Sequence, residues 1–133
     1  MTPDQRQTAR ACLEAAEQDS MAFPQIVGKL IDAGFESYLI DLRRASACYY
    51  LPDDEAIELP AHRVDTPVAP HLDTAALQTA IREAQQLVPG YTYRGFCEKA
   101  AAAGCAGYLV SFSGRRALYF GRDGATHVQP CPQ

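Results

Sequence analysis

The chain has 133 residues, 47% of them hydrophobic and 21% charged, the balance of a soluble globule long enough to bury one core. A net charge of −4 supplies no global field toward nucleic acid or anionic lipid, and no apolar run resembles a signal peptide or approaches a membrane span. Five cysteines, an odd number without a Cys-x-x-Cys pair, argue against a disulfide framework or a zinc knuckle and for a reducing, cytoplasmic setting.

Thr2-Pro3-Asp4-Gln5 reads as a helix start, with Thr2 as cap, Pro3 at the first helical position and Gln5 closing a capping box. Ala9, Cys12, Leu13 and Ala16 then recur at helical spacing, and the polar run 17–20 ends the helix. Pro24 opens a second helix with Phe23, Val27, Leu30 and Ile31 as its expected buried face, and Gly34 stops it. From Ser37 the period changes to two, with Tyr38, Ile40 and Leu42 on one side and Ser37, Leu39 and Asp41 on the other. A turn at 43–46 leads to a strand over 47–51, and Pro52-Asp53-Asp54 turns the chain into a third strand over 55–59.

Pro60, Pro67 and Pro70 keep a connector over 61–72 irregular. Asp73 caps a third helix carrying Leu77, Ala80, Ile81 and Ala84, expected to end at Pro89-Gly90. Thr92 caps a fourth, burying Phe96, Cys97, Ala100 and Ala101 and stopping at Gly104. A second meander follows: Tyr108, Val110 and Phe112 facing inward, a turn at 113–115, a return over 116–120, a turn at 121–124 and a last strand over 125–129.

The second half reads as a copy of the first. At an offset of 70, Lys29, Ala33, Gly34, Tyr38, Leu39, Ala47, Tyr49, Asp53 and Pro60 fall on identical residues, 9 in the 37 positions from Pro24 to Pro60, where composition alone gives about two or three. The first and third helices match at an offset of 68. The expectation is therefore one α+β domain over 1–133, with a first copy over about 2–60 and a second over about 73–130. Each copy is a helix-helix-meander unit, the two related by a pseudo-twofold axis, with antiparallel sheet packed against four helices. Whether the six strands make one sheet or two facing sheets stays open on the sequence.

The run Phe96-Cys97, Ala103 to Tyr108, Gly114-Arg115-Arg116 and Tyr119 to Gly124, with Ala33 to Tyr38, Tyr49 to Asp53 and Ala80-Ile81-Arg82, resembles the YbcV-like bacterial proteins of unknown function, often labelled phage envelope proteins. The resemblance covers nearly the whole chain after Phe23. It implies no activity, and Asp54 departs from it at a turn where glycine fits better.

Several groups could carry chemistry. Arg115, Arg116 and Arg122 at the turns of the second meander, with Arg43 and Arg44 in the first, could hold a carboxylate or phosphate in bidentate fashion. The plain alternative is a set of solvated turn residues that blunt sheet edges. Tyr38, Tyr49, Tyr108 and Tyr119 occupy equivalent places in the copies and suit the wall of a ligand pocket, or a core equally well. Cys12, Cys48, Cys97 and Cys105 read as small buried side chains, and Cys131, between two prolines, as an exposed and more reactive thiol. His62, His71 and His127 lack metal-ligand spacing, so no metal or cofactor is expected.

The resulting expectation is a non-enzymatic binding or interaction module for a small anionic ligand or a protein, with Arg115, Arg116, Arg122 and the four tyrosines as its site. No membrane partner is expected, the acidic balance argues against nucleic acid, and a homodimer is left open. The alternatives are a small enzyme pairing Cys97 or Cys105 with His127 at the junction of the copies, and a purely structural, self-associating protein.

Overall fold

The first helix, α1 (Pro3–Glu17), begins as its sequence dictates. The Thr2 hydroxyl accepts from the Gln5 amide and the Gln5 side chain accepts from the Thr2 amide. This computed structural model describes residues 1–131. Three further helices follow, α2 (Phe23–Asp32), α3 (Thr74–Gln86) and α4 (Tyr93–Ala102). Asp73 and Thr92 cap the last two through their side chains. Helix α3 ends earlier than Pro89, because Leu87 takes a left-handed conformation at φ 46° and closes the helix there.

Six strands, β1 (Ser37–Asp41), β2 (Ser46–Tyr50), β3 (Ala56–Pro60), β4 (Cys105–Ser111), β5 (Arg116–Gly121) and β6 (Thr126–Pro130), form one antiparallel sheet in the order β3-β2-β1-β4-β5-β6. This resolves the choice between one sheet and two. β1 and β4 meet at the centre with Leu39 opposite Leu109, Tyr38 opposite Val110 and Ile40 opposite Tyr108. The pairings Tyr38–Tyr49 and Ala47–Leu59 reappear 70 residues on as Tyr108–Tyr119 and Ala117–Gln129. β3 and β6 run to Pro60 and Pro130, one residue beyond the expected strand ends.

All helices pack on one face. The buried strand residues Tyr38, Ile40, Ala47, Tyr49, Ile57, Leu59, Tyr108, Val110, Ala117 and Tyr119 share that face. They join Ala9, Cys12, Leu13, Leu30, Leu77, Ile81, Phe96 and Ala100 in one core. Helix α2 departs from its expected face: Ile26 and Leu30 are buried, whereas Phe23 and Ile31 are 40% and 49% exposed. Ile26 and Leu30 are one helical turn apart and meet the core, and Phe23, Val27 and Ile31 form the adjacent stripe that turns away from it.

The connector is irregular but tethered. The amides of Asp65 and Thr66 donate to the Glu98 carboxylate at 2.9 and 3.0 Å, and the Ala69 amide donates to the Ala101 carbonyl on α4 at 3.0 Å. The Thr66 hydroxyl and the Asp65 amide hold the Glu98 carboxyl below its ordinary range. At its far end the Leu72 amide donates to Asp123 at 3.2 Å. The loop thus crosses one end of the sheet from β3 to the β5–β6 turn.

Candidate functional site

The four tyrosines of the expected site lie in the helix-facing core. Tyr38, Tyr49, Tyr108 and Tyr119 are each 8% exposed or less. Alternation on paired strands puts them in one aromatic row: Tyr38 stacks on Tyr49 with ring centroids 5.4 Å apart, meets Tyr108 edge-on at 6.5 Å, and Tyr108 lies 5.1 Å from Tyr119. The Tyr93 and Tyr108 hydroxyls share a hydrogen bond of 2.7 Å. Burial pushes all these phenols well up from their ordinary range. The row fills the space between sheet and helices.

The arginines do not gather. Arg115 and Arg116 lie before and at the start of β5, and Arg122 follows its end, so the strand holds them at opposite ends of the sheet. Arg116 is exposed and donates to the Gly114 carbonyl at 3.2 Å. Arg115 takes a left-handed backbone at φ 51°. Arg122 donates to the Val68 carbonyl of the connector at 3.2 Å, an anchor between turn and loop. Arg43 and Arg44 share the end of Arg122, with their amides donating to the Asp41 carboxylate, both at 3.0 Å.

Between α1, α4, the β1–β2 turn and the connector is a junction cleft lined by Leu13, Glu17, Asp41, His62, Tyr93 and Cys97. Its volume is about 20 Å³, room for one water. The Cys97 thiol on its wall is 6% exposed and burial pushes it up to about 12. Burial likewise raises Cys105 to about 11. Both are therefore thiols at neutral pH, with little nucleophilic character. Of the histidines, His127 meets Gln129 at 3.2 Å and His71 lies 3.6 Å from Asp123. Cys131 is half-buried rather than exposed; its amide donates to the Arg115 carbonyl at 2.9 Å and burial raises its thiol. Cys48, expected inside, is half-buried on the opposite side of the sheet.

That opposite side is what reading the sequence for catalytic groups passes over. No helix among the described residues covers it. Along the central register the outward residues are Glu58, Cys48, Leu39, Leu109, Leu118 and Val128, one from each strand. Leu39, Cys48, Leu109 and Leu118 are half-buried only by their neighbours in the sheet, and Val128 is 47% exposed. Tyr50 and Phe120 extend the patch on either side, and Phe120 lies over Gly107, where a Cβ would meet its ring at 2.8 Å. The signal was present: Leu39 and Leu109 are identical across the halves at outward positions, where a solvated face calls for polar residues.

The geometry defines a two-layer α+β protein with helices on one face of an antiparallel sheet and an apolar strip on the other. The family model described as "Protein of unknown function (DUF1398)" matches residues 11–128, and the chain belongs to that family. No curated protein matches it. Among the described residues no helix is long and apolar enough to cross a membrane.

Proposed function

We propose that the chain is a non-enzymatic interaction module that docks a protein on the uncovered face of its sheet. The supporting observation is the outward strip of Leu39, Leu109, Leu118 and Val128, which no helix among the described residues covers. A contiguous apolar surface exposed to water is unfavourable by about 25 cal/mol per Å² unless something covers it. Two further features favour binding over the Cys/His enzyme reading: the raised thiols of Cys97 and Cys105, and a junction cleft of about 20 Å³. Arg116, on the rim of this face, is the member of the expected arginine set that the reading keeps as a contact residue. On the resemblance to YbcV-like proteins alone, the setting is a bacterial cytoplasm, with phage association as part of the same proposal.

A photo-crosslinking side chain placed at Leu118 or Val128 in living cells is expected to yield discrete covalent adducts. The same group at Gln86, exposed on α3, serves as the control. Adducts equally abundant from all three positions, or absent from Leu118 and Val128, would remove this face as the docking surface.

A further inference from the structure

We infer that the occupant of the uncovered sheet face is a second copy of this chain, packed face to face with its two halves exchanged. This rests on the docking role of that face and adds the identity of its partner.

The observation that selects a second copy is the division of charge. Residues 1–60 carry 5 basic and 11 acidic side chains, whereas 73–133 carry 6 and 4. The first half is thus strongly acidic and the second mildly basic. The outward face follows the same division. β3 presents Glu58, 3.5 Å from Arg44, while β5 presents Arg116. The turn beside β3 adds Asp53 and Asp54, both exposed, whereas Glu55 is taken up by the Met1 amino group, and the turn beside β5 adds Arg115. A surface with one acidic and one basic half, joined across an apolar centre, is complementary to itself after a half-turn.

Two twofold axes in the plane of the face would bring a copy onto it. An axis across the strands stacks acidic half on acidic half. An axis along the strands, between β1 and β4, exchanges the halves, so β1 overlies β4 of the second copy and Leu39 meets Leu109. Charge selects the second arrangement, which also stays near the aligned packing of stacked sheets. Six strands spaced about 4.8 Å and five residues rising about 3.3 Å each give a footprint of about 480 Å². That is below the ~800 Å² per partner of standard stable complexes. The dimer is therefore of the weak class and is sensitive to ionic strength.

The test is sedimentation equilibrium of the purified chain up to several hundred micromolar, at low and high salt, with folding checked by circular dichroism. Wild type should show a monomer–dimer equilibrium that weakens as salt rises, the sign required when opposite charges face each other. Leu118→Lys should abolish it. Arg116→Glu and Glu58→Arg should each weaken it by about tenfold, and an equimolar mixture of those two variants should form heterodimers again, because each supplies the charge the other lost. A wild-type chain that stays monomeric throughout would overturn self-pairing. If photo-adducts with other proteins then still form from Leu118 and Val128, the docking face itself stands. A dimer that strengthens with salt, or is indifferent to Leu118→Lys and Arg116→Glu, would also overturn the proposal.

Discussion

Gly104 and Gly34 stop equivalent helices with backbones at φ 88° and φ 99°, yet their surroundings differ. A Cβ on Gly104 would come 2.0 Å from the His71 carbonyl oxygen, whereas on Gly34 it would meet only the Gln5 side chain at 3.4 Å. Both incur the left-handed penalty of about 1 kcal/mol when changed to alanine. Gly104→Ala must also displace the connector backbone, so a loss of at least about 2 kcal/mol in urea unfolding is expected, against about 1 for Gly34→Ala. Equal losses would mean that the connector does not press on the helix end. Alkaline pH tests the buried thiols and phenols. Cys97 and Cys105 stay protonated in the fold to about 12 and about 11 and Tyr91 to about 12, against ordinary values of 9.0 and 10.0. The unfolded chain releases these protons first, so stability is full below pH 9 and falls between about pH 9 and 12. Each tenfold difference in proton affinity between the folded and unfolded chain is worth at most about 1.4 kcal/mol. Unfolding midpoints that stay level from pH 8 to 11 would contradict that burial. The equivalence of the tyrosines could be read from the repeat, and so could their common face. The inward direction of Tyr38 and Tyr108 followed from the apolar residues on the same side of each strand, and what a period of two left undecided was whether the tyrosines line a pocket or fill a core. The separation of Arg116 from Arg122 was readable, since both flank one strand of six residues.

Helix starts were legible because caps are local chemistry: Thr2 with Gln5, Asp73, and Thr92 each satisfy amides three residues on. The buried face of α2 was not, because Phe23, Ile26, Val27, Leu30 and Ile31 form an apolar arc wider than one contact, and only the neighbouring elements choose within it. In α4 the counterparts of Phe23, Val27 and Ile31 are Tyr93, Cys97 and Ala101, and there the connector and α1 close over the stripe, leaving Ala101 0% exposed. The two helices should therefore answer differently to the same change. Ile31→Lys is expected to cost less than about 0.5 kcal/mol, as at an ordinary surface site. Ala101→Lys, which buries an ammonium with no partner, should cost several kcal/mol or prevent folding. Thermal unfolding of the two variants decides it, and comparable losses would place Ile31 in the core. Edge strands β3 and β6 are five residues each and end in Pro60 and Pro130, which lack an amide for ladder extension. The exposed edges are thereby blunted while the face between them is left open.

At the scale of the molecule, everything depends on the pairing of β1 with β4, strands 70 residues apart whose five residue pairs join the halves into one ladder. Local pattern could not reveal it, since either half could equally have stacked its meander against the other. Its physical basis is mutual need. Three strands and two helices alone leave an unpaired central edge and a thin core, and here Tyr38 of one half touches Tyr108 and Phe112 of the other. A shared core of this kind cannot lose one half and keep the other. Val110, 1% exposed on β4 and paired with Tyr38, provides the test. Val110→Ala should lower stability by about 2 kcal/mol. The loss should appear in a single transition that far-ultraviolet circular dichroism and tyrosine fluorescence trace at the same denaturant concentration, before and after the change. If instead the variant splits the transition, with part of the signal keeping the wild-type midpoint, the halves hold separate cores. The β1–β4 ladder would then be a contact between two folded units, and the continuous apolar face that it creates would no longer be a property of one rigid surface.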